Sequence, residues 1–154
     1  VVLQFTPVVY NTISHPILKN TDLTTVTEGQ VRLVKGQALV DCTTGIAASY
    51  TQANVNAKPG ECVKYRITAT NEGNANVKNL VISDNTPSYT TLKAISGVSP
   101  KVSTNAALSS TSITADGATG KVEAEMKETT ANDGKDILVP TASATLEFVI
   151  KVNE

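Results

Sequence analysis

The stretch Ala144-Thr145-Leu146-Glu147-Phe148-Val149-Ile150-Lys151-Val152-Asn153 decides the fold class. Ala144, Leu146, Phe148, Ile150 and Val152 fall on one side of an extended chain, and Thr145, Glu147, Val149, Lys151 and Asn153 on the other. Successive side chains of a strand point to opposite faces, so this alternation gives one face to a core. The same pattern recurs with Val63, Tyr65, Ile67 and Ala69 on one side and Cys62, Lys64, Arg66, Thr68 and Thr70 on the other. No window of about 11 residues carries apolar side chains at i, i+3, i+4 and i+7, so the chain reads as nearly all β.

Working outward, the second strand stops at the turn cluster Asn71-Glu72-Gly73-Asn74, where Asn71 and Gly73 are suited to positive φ. A third strand is expected from Val77 to Ser83, closed by Asp84-Asn85-Thr86-Pro87, with Asp84 accepting backbone hydrogen bonds. Further strands are expected at Gln30 to Leu39, Ile46 to Ala53, Tyr89 to Ile95, Ser110 to Thr114, Gly120 to Met126 and Asp136 to Val139. Lys58-Pro59-Gly60, Ala115-Asp116-Gly117 and Asn132-Asp133-Gly134 are the turns between them, and Asn105 to Leu108 reads as a single helical turn. Short strands at such spacing point to a two-sheet β-sandwich. Residues 30–154 form the expected domain and residues 1–29 an extension before it.

Composition narrows function. The 154 residues carry 13 Lys plus Arg against 14 Asp plus Glu, a formal net charge of −1 with no basic block. Nucleic acid is therefore a poor partner. No apolar run approaches the ~18–20 residues of a membrane helix, so no membrane span is expected. One histidine, His15, and no tryptophan leave little for metal binding or acid–base chemistry; no enzyme and no cofactor are expected.

Cys42 and Cys62 lie far outside C-x-x-C spacing, which favours a disulfide over two buried thiols. Closing a loop of roughly 20 residues is worth about 3 kcal/mol in the chain-entropy model. The bridge, the Thr- and Ser-rich composition and a first residue, Val1, that is not Met fit an exported protein without its leader, or a fragment. The expected location is extracellular or on a cell surface. The sequence holds no N-x-S/T acceptor, which leaves O-linked sugars on Thr or Ser open.

The passage from Lys58-Pro59-Gly60 through Val63-Lys64-Tyr65-Arg66-Ile67 and Asn71-Glu72-Gly73 to Val81-Ile82-Ser83-Asp84-Asn85-Thr86-Pro87 resembles a prokaryotic surface conserved-repeat family, domain of unknown function eleven. Val139-Pro140-Thr141-Ala142-Ser143-Ala144-Thr145-Leu146-Glu147-Phe148 is similar to that family's closing strand, with Thr141 where glycine is usual. The resemblance covers roughly residues 31 to 154. It implies an immunoglobulin-like sandwich in an extracellular assembly and supplies no catalytic residues.

In the extension, Val1, Leu3, Phe5, Pro7 and Val9 share one face, and Gln4, Thr6 and Tyr10 the other. Such a segment docks on its own sandwich, adds as a strand to a neighbouring copy's open sheet edge, or is a docking segment cut from a larger multidomain protein. Burying its large apolar side chains gains on the order of 6–12 kcal/mol before ordering costs. Pro7 cannot donate to a ladder and belongs at an edge or break, and His15-Pro16 reads as a bend or linker. A head-to-tail exchange that does not close makes a filament. The leading expectation is thus a pilus-like filament subunit whose partners are copies of itself. The alternative is a monomeric surface adhesin or spacer, with glycans or a host surface as partner.

Other constellations are weaker. Glu123 and Glu125 read as a solvated face beside Lys121 and Lys127, while Asn132, Asp133 and Asp136 lack calcium-loop spacing. Tyr50 and Tyr89 would have to serve a sugar site, although core packing explains them as well. Lys35 and Asn153 are a conceivable isopeptide pair.

Overall fold

A computed structural model describes residues 30–154 and the backbone of Leu3–Gln4 and Thr21–Asp22. The strands are β1 (Leu3–Gln4), β2 (Thr21–Asp22), β3 (Val31–Val40), β4 (Cys62–Asn71), β5 (Val77–Lys78), β6 (Val81–Asn85), β7 (Thr90–Lys93), β8 (Lys101–Ser103), β9 (Ala107–Leu108), β10 (Lys121–Glu125), β11 (Ile137–Leu138) and β12 (Ser143–Val152). Every ladder is antiparallel, and the described residues contain no helix.

The larger sheet runs β3-β4-β12, with β7 and β8 sharing the far edge of β12. The facing sheet is β6-β10-β9, and β5 pairs with β11 beside it. Val63, Ile67 and Ala69 of β4 and Ala144, Leu146, Phe148 and Ile150 of β12 meet Ile82 of β6 and Val122 and Ala124 of β10 in one buried cluster. Their alternation makes this a two-sheet sandwich, because each strand turns every second side chain toward the other sheet. Tyr65 and Phe148 pack at 5.3 Å between ring centroids within it.

The outer side of the larger sheet is partly covered. Val149 points away from the core yet is fully buried, because the loop of residues 41–49 and the turn of residues 95–99 lie over it. At Gly45, with φ +60°, a Cβ would stand 2.8 Å from Ile95 and 3.4 Å from Val149, so glycine is needed twice over. The Cys42–Cys62 disulfide, with Cα atoms 5.3 Å apart, pins that loop to the start of β4.

Several strand expectations change. Val77 to Ser83 is two strands, because Asn79 adopts φ +53° and gives its N–H to the Asp136 carbonyl. Ile46 to Ala53 contributes a single bridge, Thr51 to Gln37. Ser110 to Thr114 is a turn in which the Ser112 N–H bonds to the Ser109 carbonyl, and the expected helical turn at Asn105 to Leu108 instead contains β9. Asn71 serves the turn through its side chain. Buried at the end of β4, it donates to the carbonyls of Ala75 and Leu138 and accepts the Gly73 N–H. Thr141 keeps the turn expected of a glycine, at φ +68°.

Candidate assembly face

β3 closes one side of the larger sheet. Its register sets Val31, Leu33, Lys35, Gln37 and Leu39 opposite Asn71, Ala69, Ile67, Tyr65 and Val63, so these five side chains share the core-facing side. The apolar three among them are left exposed. Leu33 is 60% exposed, Leu39 51% and Val31 36%. Leu39 also shares with Ile46 and Ala48 an open cleft of about 520 Å³ at the disulfide end of the strand.

Between Leu33 and Leu39, Lys35 reaches across the sandwich. Its Nζ stands 4.4 Å from the Tyr65 ring centroid and 2.5 Å from Asp84 Oδ2 on β6. That ion pair places β3 and β6, the edges of the two sheets, on the same side of the molecule. Gln37 exchanges both backbone hydrogen bonds with Thr51, at 2.8 and 3.0 Å. Alternate residues of a strand aim their backbone groups the same way, so Val31, Leu33 and Lys35 also point theirs outward. Among the described residues, Thr51 is the one partner on that edge of β3, and nothing pairs along residues 31–36.

The opposite face of the same sheet is filled and neutralised. Glu147 of β12 accepts from Arg66 Nε at 2.6 Å and from the Tyr50 hydroxyl at 3.0 Å, and lies 3.4 Å from the buried Lys64 ammonium. Burial raises the Glu147 pKa, but the Arg66 and Tyr50 hydrogen bonds and the Lys64 charge outweigh it and hold the carboxyl below its usual range. Burial, then the hydrogen bond to Glu147, pushes the Tyr50 phenol up to about 12. The Arg66 guanidinium lies 3.9 Å from the Tyr50 ring centroid, and Tyr50 fits against β3 because position 36 is glycine, where a Cβ would stand 3.1 Å from its own Cβ. An open cleft of about 270 Å³ between Arg66, Lys101 and Glu147 borders this network.

The remaining candidate residues have local roles. Lys121 pairs with Glu123 at 2.6 Å and Lys127 with Glu125 at 3.4 Å. Asp133 accepts from Thr129 and from the backbone of Thr129, Thr130 and Lys135, and the Thr129 hydrogen bond leads in holding its carboxyl far below the usual range. Asp136 is buried, with Oδ1 lacking a hydrogen-bond partner among the described residues and Oδ2 3.9 Å from Lys78. Among the described residues no three His, Cys, Asp or Glu side chains gather as a metal site, and no helix is long and apolar enough to cross a membrane. Tyr89 is 85% exposed, and Lys35 is engaged by Asp84, whereas Asn153 gives its N–H to the Tyr89 carbonyl.

No family model, curated protein or solved structure matches the chain. Of the expected strand-donating residues, Val1, Phe5, Pro7 and Val9 lie outside the described residues, as does His15. Leu3 falls in β1, opposite Asp22 of β2. Cys42 and Cys62 are joined. Sequence reading found β3 but missed its uncovered face. The available signal was an apolar row, Val31, Leu33 and Leu39, interrupted by Lys35 and Gln37.

Proposed function

We propose that this chain is a structural subunit of an extracellular, pilus-like fibre, an immunoglobulin-like module that polymerises by lending its N-terminal strand to the next copy. The observation that carries the reading is the uncovered apolar row of β3. Three large apolar side chains on the core-facing side of a sheet keep a third to three-fifths of their surface exposed, as they would in a sandwich short of one strand. The chain also contains a segment with the alternation such a strand needs, Val1, Leu3, Phe5, Pro7 and Val9. Its function is then mechanical. Ladder hydrogen bonds and apolar knobs carry the subunit contact, and the disulfide stiffens the module.

Electron microscopy of the intact chain beside a version lacking Val1 to Tyr10 tests this, with circular dichroism confirming that both fold. Filaments from the intact chain alone support strand donation. Monomers from both would instead favour a spacer or adhesin acting through its loops.

A further inference from the structure

The structure assigns the acceptor: the edge of β3 along residues 31–36, beside β6, receives residues 1–6 of a second copy. The inference rests on the strand-donation reading and adds where the strand goes. Three independent features converge on that edge.

The first is its backbone. Val31, Leu33 and Lys35 turn both N–H and C=O outward, and no described residue pairs with them. The second is where pairing must stop. On β3 the unpaired stretch runs from Val31 to the glycine before Gln37, where Thr51 already occupies the edge. On the entering segment Pro7, which cannot donate, ends the run that can pair, and residues 1–6 before it hold no proline. The inward pairs are Val1 with Val31, Leu3 with Leu33 and Phe5 with Lys35 in a parallel entry, or Phe5 with Val31, Leu3 with Leu33 and Val1 with Lys35 in an antiparallel one, and in both Pro7 falls beyond the paired stretch. The third is chemistry. Val1, Leu3 and Phe5 share a face, and turned inward they cover Val31, Leu33 and the aliphatic stem of Lys35 in the gap between β3 and β6.

The occupant is a second copy: Leu3–Gln4 pairs with Thr21–Asp22 within the chain, and among the described residues none pairs with β3 along residues 31–36. A two-residue, two-stranded ladder is marginal in water and is readily exchanged for a longer one.

The test uses two full-length variants. A tagged copy carries Phe5→Cys, an untagged copy carries Leu33→Cys, and they are mixed under assembly conditions and mildly oxidised. Repeating it with cysteine at Leu3 and at Val1 samples the register, and Val81→Cys on the outward side of β6 is the control. Expected is a tagged–untagged dimer with Leu33→Cys from at least one donor position, and none with Val81→Cys. Electron microscopy of the same mixtures reads assembly separately. Filaments with no Leu33 cross-link would overturn the assigned acceptor while leaving strand donation standing. The absence of filaments with native folding would overturn both. In the Phe5→Cys/Leu33→Cys double variant, a cross-link that stays within one chain would replace the second copy by the chain's own segment. In an orthogonal arm, Leu33→Asp is expected to abolish filaments with unchanged circular dichroism, and Leu33→Met to preserve them.

Discussion

β12 and β3 belong to one sheet, pair with the same strand β4 and alternate in the same way, yet their inner faces meet different surroundings. Ala144, Leu146, Phe148 and Ile150 of β12 are buried against the second sheet. Val31, Leu33 and Leu39 of β3 point the same way and stay partly exposed. The pattern within a strand says which side is apolar, and what lies opposite decides whether that side stabilises the monomer. Buried apolar surface is therefore concentrated at the centre of the sheet and exposed apolar surface at its edge.

The comparison is broken most strongly at β12. Phe148→Ala removes a fully buried ring and its contact with Tyr65, at a cost of about 3–5 kcal/mol in urea unfolding. If that cost fell below about 1 kcal/mol, the assignment of the core would be wrong.

On the outer face, Glu147→Ala leaves Lys64 buried beside no carboxylate and should cost about 3 kcal/mol. The pH dependence has a definite sign. Because the Glu147 pKa is lowered by folding, its contribution is present above the unfolded carboxyl value of about 4.3 and is lost as pH falls through the folded value. Urea midpoints between pH 7 and pH 3 should fall less steeply for Glu147→Gln than for the wild type; equal slopes would assign the acid sensitivity elsewhere.

Thr141→Gly works in the opposite direction. A β-branched residue at φ +68° costs on the order of 1–2 kcal/mol, part of which glycine returns as unfolded-chain entropy, so a net gain of about 0.5–1 kcal/mol is expected in thermal unfolding. The smallest effect belongs to β3. Leu33→Ser should change the stability of the dissociated chain by less than about 0.5 kcal/mol, since its side chain is already hydrated. A loss comparable to that of Phe148→Ala would erase the distinction between the two strands.

Much of the fold was legible because period two is written plainly in long strands. β12, β4 and β3 each run 10 residues and carry the alternation that sequence reading uses, and the cysteine pair was legible by elimination. What was not legible depends on contacts between distant residues. β8 and β9 have three and two residues, too few to show a period, and exist because β12 and β10 offer them edges. Ile46 to Ala53 alternates as a strand does, but Tyr50 uses its place to pack on Gly36 and bond Glu147, and Ile46 stays exposed. The split at Asn79 follows from a left-handed residue whose N–H bonds to Asp136, a distant partner. The exposed face of β3 escaped for a related reason: alternation shows that Leu33 points inward, and cannot show that no described strand lies across from it.

Backbone amide hydrogen exchange on dissociated and assembled protein tests the central claim most directly. The amides of Val31, Leu33 and Lys35 should exchange freely in the dissociated chain and become protected in the filament, while those of Leu146 and Phe148 are protected in both. Filaments in which the three β3 amides exchange as fast as in the monomer would contradict the account.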